Sequence, residues 1–168
     1  MEDNLSLIGL VELISTSLDP PDRVMKGFEK LFNKLGDAVF VYRTDEENYG
    51  EILELNPKAV EQTGYTREEL LDMNLVKDLA VGSGKNFEQE YQEKGGVTFE
   101  QKKKKKDGTE YWTETVGVPI NYKGINAALS IQRNIQKRKE LEKREEFLHS
   151  ILRHDVKNKN QVVRGYLE

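Results

Sequence analysis

Residues 97–131 read VTFEQKKKKKDGTEYWTETVGVPINYKGINAALSI, and three strands can be placed in them. Asp107-Gly108 is a hairpin signal, because the tight turn between antiparallel strands needs left-handed backbone that glycine takes freely and aspartate tolerates. Val97–Lys106 and Thr109–Ile120 flank it, rich in β-branched and aromatic residues. A second turn at Tyr122-Lys123-Gly124 leads into Ile125–Ile131. Working outward, Ala38–Tyr42 and Glu51–Leu55 form an earlier hairpin around the polar stretch Asp45–Gly50. Between the hairpins, Asn56-Pro57 starts a short helix through Ala59 and Val60 that Gly64 ends. Thr66 and Glu69 have the spacing of a capping box, and a polar helical segment is expected near Asn86–Glu93. The expected fold is α+β: a five-stranded antiparallel sheet with helices on one face.

Two helical regions flank this sheet. Leu5, Ile8, Leu10, Val11 and Ile14 fall at helical spacing before the break Asp19-Pro20-Pro21-Asp22. A second stripe of Val24, Phe28, Leu31, Phe32 and Leu35 predicts a helix from about Arg23 to Leu35, with Gly36 at its end. From Asn134 onward there is no Gly or Pro until Gly165, which predicts one helix on the order of 45 to 50 Å long. The chain therefore divides into an N-terminal helical cap (1–35), a sheet domain (36–133), a helical linker (134–148) and a final helical segment (149–168).

Composition narrows the function. With 26 basic against 30 acidic residues and a net charge of -4, the chain is not built primarily to neutralise nucleic-acid phosphates, so no nucleic-acid partner is expected. The absence of cysteine removes disulfides, thiolate nucleophiles and cysteine metal sites, and no metal site is expected. The start Met1-Glu2-Asp3 lacks a basic leader, and the apolar stretch Leu5–Ile14 is short and interrupted by Glu12. The expectation is a cytoplasmic protein with no membrane partner.

Several of these pieces, in this order, resemble one family. Asn56-Pro57 through Thr63-Gly64-Tyr65-Thr66 to Glu69-Leu70 is similar to the asparagine-led helix and following step of PAS domains. Lys106-Asp107-Gly108-Thr109, Trp112 and Val118-Pro119-Ile120 resemble their C-terminal hairpin. Asn134-Ile135-Gln136 with Arg138-Lys139 resembles their exit motif, with Asn134 in place of the usual Asp and Gln136 in place of Thr. The PAS resemblance covers roughly residues 28–140. Downstream, Leu152-Arg153-His154-Asp155-Val156-Lys157-Asn158 resembles the phosphoacceptor box of histidine kinases. Together these imply the sensing and phosphoacceptor portion of a PAS-domain sensor histidine kinase. A homodimer through the C-terminal helix, a response-regulator partner and an ATP-binding kinase domain are implied with it. Neither a Gly-rich nucleotide lid nor a second bundle helix is read in the chain, so ATP is expected in a domain outside it and no phosphotransfer from the chain alone.

Helical geometry bears on His154 independently. At about 100° per residue, Leu141, Leu148, Leu152, Val162 and Tyr166 cluster in one stripe, and His154 lies roughly 120° from Leu148, on the solvated flank. Attack on a γ-phosphoryl group needs a neutral imidazole nitrogen and a group to take up the proton, a role assigned to the adjacent Asp155. The resemblance implies that Asn158 positions a water for dephosphorylation. His149 is read as a solvated helix residue, its five-residue spacing from His154 being wrong for a shared metal. Without its surrounding motif, His154 would be read the same way.

Three features keep alternatives open. The run Lys102–Lys106 reads as an exposed hairpin arm whose charge protects a sheet edge, in preference to a phosphate or lipid patch. Phe40, Val116, Val118 and Leu129 are candidate lining for a cavity that holds a small molecule or is simply core. No histidine lies in the sheet domain to ligate a haem, and no cysteine is present to form a flavin adduct, so no cofactor is identified. Leu141 and Leu148 keep a heptad step with Arg144 and Glu145 at the intermediate position, which predicts a weak dimer seam suited to switching. The rival functions are a stand-alone PAS binding and dimerisation module, with His154 incidental, and a nucleic-acid binder using the lysine arm.

Overall fold

The computed structural model describes residues 22–81 and 96–165, with side chains over 26–81 and 96–153. The expected helix at Leu5–Ser17 and the polar segment Asn86–Glu93 lie outside the described residues. The elements are α1 (Asp22–Lys34), β1 (Ala38–Arg43), β2 (Ile52–Leu55), α2 (Pro57–Thr63), α3 (Arg67–Leu71), β3 (Val97–Lys104), β4 (Glu110–Tyr122), β5 (Ile125–Asn134) and α4 (Gln136–Gly165). The strands form one antiparallel sheet in the order β2-β1-β5-β4-β3. Ala38 of β1 pairs with Gln132 of β5, and Thr113 of β4 pairs with Asn134 of β5. The fold is therefore α+β with a five-stranded antiparallel sheet, as the strand and turn pattern predicts.

Alternation along the strands splits the core in two. On the inner face Ala38, Phe40, Tyr42, Ile52, Leu55 and Ala128 pack with Ala59 of α2, Leu70 of α3, and Leu75 and Leu79 beyond it. On the outer face Val39, Val41, Ala127 and Leu129 pack with Phe28 and Phe32 of α1 and with Val118 and Ile131. The short helices thus cover one face, and α1 caps the other.

Local chemistry sets the joints. Thr66 Oγ1 accepts from Glu69 N–H at 3.2 Å while Glu69 Oε2 accepts from Thr66 N–H at 2.9 Å, the reciprocal capping box expected from spacing. In the β3–β4 hairpin, Gly108 N–H donates to Lys105 C=O at 3.0 Å, and Gly108 has φ +85°. Asp107 Oδ1 accepts from both the N–H and the hydroxyl of Thr109. β5 extends past Ile131 to Asn134, the last rung opposite Thr113, and α4 begins at Gln136. Asn134 is therefore the last ladder residue of β5, two positions before the first residue of α4.

By internal packing the chain forms two units, 1–134 and 135–168. The second contains α4, a single helix of 30 residues. Among the described residues no helix is long and apolar enough to cross a membrane.

Candidate functional site

Asn56 organises the sheet unit. Its fully buried side chain uses its whole hydrogen-bonding capacity. Oδ1 accepts from Val39 N–H at 2.9 Å and from Ala59 N–H at 3.1 Å, while Nδ2 donates to Phe32 C=O at 3.2 Å and Asp37 C=O at 3.0 Å. One amide thus caps the start of α2, satisfies a carbonyl in the last turn of α1 and holds β1 between them.

The inner face changes character across the sheet. Around β1 and β2 it is apolar; on β3, β4 and β5 it carries Gln101, Lys103, Tyr111, Thr113, Thr115, Ser130 and Gln132, most of them buried. Some of these groups satisfy one another. Thr113 Oγ1 donates to Gln101 C=O at 3.2 Å, Gln132 Nε2 to Ser130 Oγ at 3.1 Å, and Gln62 of α2 reaches Gln132 C=O at 3.5 Å.

Lys103 and Tyr111 face each other across the β3–β4 ladder. Only 3% of Lys103 is exposed, and its Nζ donates to Leu75 C=O at 3.3 Å. Burial pulls its pKa down from 10.5 to about 7. Burial pushes the Tyr111 phenol up, and Gln62 beside it offsets part of that rise without completing a well-shaped hydrogen bond. The lysine run is therefore not a uniformly exposed arm. Lys106 does serve the surface, pairing with Glu69 of α3 at 2.6 Å and holding that carboxyl below its ordinary range.

The cavity lining expected from apolar residue types is corrected by register. Phe40 lies on the inner face, whereas Val118 and Leu129 pack on the outer face under α1. Val116 pairs with Ile131, which is also on the outer side. Phe40 pairs with Ser130, one residue from Leu129, and a one-residue step along a strand reverses the face.

The predicted phosphoacceptor residues share one element. His154, Asp155 and Asn158 all lie within α4, with His154 and Asn158 one helical turn apart on one side. Their side chains lie outside the described residues. Upstream on the same helix Leu141, Phe147, Leu148, Ile151 and Leu152 are exposed, Phe147 by 65%. The residues that sequence reading passed over are Lys103, Tyr111, Thr115, Gln62 and Gln132. The available signal was the alternation Gln101-Lys103 and Tyr111-Thr113-Thr115, which puts polar side chains on a face that should be buried.

A family model described as the PAS fold matches residues 27–135. The structure is similar to that of a PAS domain from a two-component sensor histidine kinase, with 23% identity and a TM-score of 0.58 over 66% of this chain and 95% of that one. It is also similar to the PAS domain of a protein from Colwellia psychrerythraea, with 28% identity and a TM-score of 0.56 over 68% and 98% of the two chains. An RNA-binding light-oxygen-voltage receptor matches 83% of this chain with 41% of its own, at 21% identity and a TM-score of 0.62. No curated protein sequence matches this chain.

Proposed function

Because the chain belongs to the PAS fold family, a family of signal-sensing domains, we propose that it is the sensing and phosphoacceptor portion of a two-component sensor histidine kinase. One observation carries this reading: the last strand of the PAS sheet runs directly into a single 30-residue helix that bears Leu152-Arg153-His154-Asp155-Val156-Lys157-Asn158. The similarity to a PAS domain from a sensor histidine kinase is compatible with it, and the RNA-binding relative shows that the same fold serves other outputs.

In the proposed reaction a neutral ring nitrogen of His154 attacks the γ-phosphorus of ATP held by a separate kinase domain. The bond from that phosphorus to the bridging oxygen breaks, ADP leaves, and the imidazole proton passes toward Asp155. The N–P bond then supplies the phosphoryl group to a response-regulator aspartate. Asn158, on the same side of the helix, positions water for the competing hydrolysis. The exposed apolar residues of α4 support a homodimer through that helix.

The roles separate by experiment. With a kinase domain and ATP supplied in trans, Asp155→Asn should slow labelling of the chain by roughly 10²-fold, the scale of lost general-base assistance. Asn158→Ala should leave labelling intact and lengthen the life of the phosphorylated form, while His149→Ala should change neither. Equal labelling rates for Asp155→Asn and the native chain would remove Asp155 from the mechanism.

A further inference from the structure

We propose that Lys103 is a proton-operated latch: its neutral amine holds the segment 74–81 against the edge of β3, and protonation of that amine frees the β3 end of the segment. The latch makes proton concentration an input to the sheet unit. It goes beyond the phosphoacceptor reading and needs no phosphate on His154.

The segment 74–81 follows α3 and is tied to both edges of the sheet, β2 and β3. At the β2 edge Leu75 N–H donates to Gly50 C=O at 2.8 Å, Asn74 Nδ2 donates to Tyr49 C=O at 2.7 Å, and Asn74 forms an isolated bridge with Glu51. Local bonds lock this end: Asn74 Oδ1 accepts from the N–H groups of Val76 and Lys77, and Asp78 Oδ2 accepts from Asn74 N–H. The β3 end is held differently. Val81 N–H donates to Lys102 C=O and Lys104 N–H donates to Leu79 C=O, each at 3.0 Å, around a bridge between Ala80 and Lys103. One side-chain tie accompanies these two backbone bonds, Lys103 Nζ donating to Leu75 C=O at 3.3 Å. The backbone on either side of Lys103 therefore grips residues 79–81, while its side chain reaches back to residue 75. Leu75, Leu79 and Lys103 are all buried, so the amine meets water only when the β3 end lifts.

The surroundings suit the amine and not the ammonium. Tyr111, opposite Lys103 on β4, is uncharged in neutral solution because burial pushes its phenol up. Lys105, two residues along β3, sets its Nζ 5.4 Å from the centroid of the Tyr111 ring and carries the same sign of charge. On the segment itself Lys77 and Asp78 are exposed, and Asp78 is engaged by Asn74 N–H. Glu69 of α3 is taken by Lys106, and Glu61 of α2 by Lys58. Burial with no compensating counter-charge lowers the Lys103 pKa to about 7. Once residues 79–81 leave the β3 edge, the amine is hydrated and returns toward its ordinary 10.5. Between those two values the released form holds one more proton than the latched form. The released fraction therefore grows as pH falls, about tenfold per unit, and levels off below about 7, where the latched form is protonated as well. A lysine that merely filled the sheet would leave residues 79–81 equally bound at every pH.

The test is amide hydrogen exchange of the full chain followed by NMR between about pH 6 and about pH 8.5, each rate being divided by that of an open amide at the same pH. Val81 and Lys104 report the latch, and Val39, whose N–H is held by Asn56, reports the sheet. Val81 and Lys104 should exchange about tenfold or more faster than Val39 and without response to low urea, as a local opening does. From pH 8.5 to 7.5 their opening constant should rise roughly eightfold, and near pH 6 it should level off. Lys103→Met, close in length and apolar, should make the profile level throughout, whereas Tyr111→Phe should keep the native slope. A level native profile overturns the proposal. So does exchange of Val81 and Lys104 only at the rate of Val39, which means that the segment leaves β3 only when the sheet unfolds. A slope that survives Lys103→Met, or that vanishes with Tyr111→Phe, assigns the proton to another group and overturns it equally. Should Lys103→Met fail to fold, the Cε carbon resonance of Lys103 in the native chain takes its place: titration near about 7 supports the latch, and titration near 10.5 contradicts it.

Discussion

Asn56 concentrates more of the fold than any other described residue, because its four hydrogen bonds join α1, β1 and α2 in a site closed to water. Asn56→Ala should cost about 3 kcal/mol in urea unfolding, combining a lost cap with buried groups left unpaired. Asn56→Asp should not rescue it, since the donors facing the carbonyls of Phe32 and Asp37 become an oxygen. Lys103 gives a second prediction, with an unusual sign. Its folded pKa of about 7 lies below the ordinary 10.5, so between those values the unfolded chain binds more protons than the folded one. Stability should therefore rise with pH from about 7 toward 10, by at most about 1.4 kcal/mol per pH unit from this group. Lys103→Met should flatten that rise. Above pH 10 the raised phenol of Tyr111 acts in the opposite direction, so the comparison belongs below it. A native chain whose stability is as flat as that of the variant would contradict the burial of Lys103. The asparagine was legible from its place before Pro57; the lysine was not, because within five consecutive lysines residue type carries no sign of which one turns inward.

At the scale of elements, turns and caps were the most readable features, since each rests on residues close in sequence. Asp107-Gly108 and Thr66 with Glu69 needed no knowledge of distant partners. Faces were harder. The apolar residues Val118 and Leu129 gave no hint of whether they lie under α1 or against α2 and α3, because that depends on register between strands far apart in sequence. The helix α4 makes its own prediction. Leu141, Phe147, Leu148, Ile151 and Leu152 are exposed on a helix otherwise rich in charge. In the proposed homodimer Leu148 is a seam residue, and Leu148→Glu should shift sedimentation from dimer toward monomer while leaving the circular dichroism of the sheet unit unchanged. A chain that sediments as a monomer before and after the substitution would remove the helix as the dimer seam.

At the scale of the molecule, the PAS sheet and the helix that follows it divide the proposed work. One unit carries the PAS sheet with its buried polar inner face, and the other carries a histidine in the sequence setting of a phosphoacceptor. The order of hairpin, short helices, three strands and long helix was legible from pattern alone. The chemistry of the inner face was not, because it arises only when β3, β4, β5 and α2 come together. The phosphoacceptor claim is the central one. Its most direct measurement is mapping of phosphate by mass spectrometry at alkaline pH, after the chain has been incubated with ATP and a histidine-kinase catalytic domain. The account predicts one phosphate, on His154, lost in acid, stable in base and absent from His154→Gln. Phosphate at another residue, or labelling that persists in His154→Gln, would contradict it.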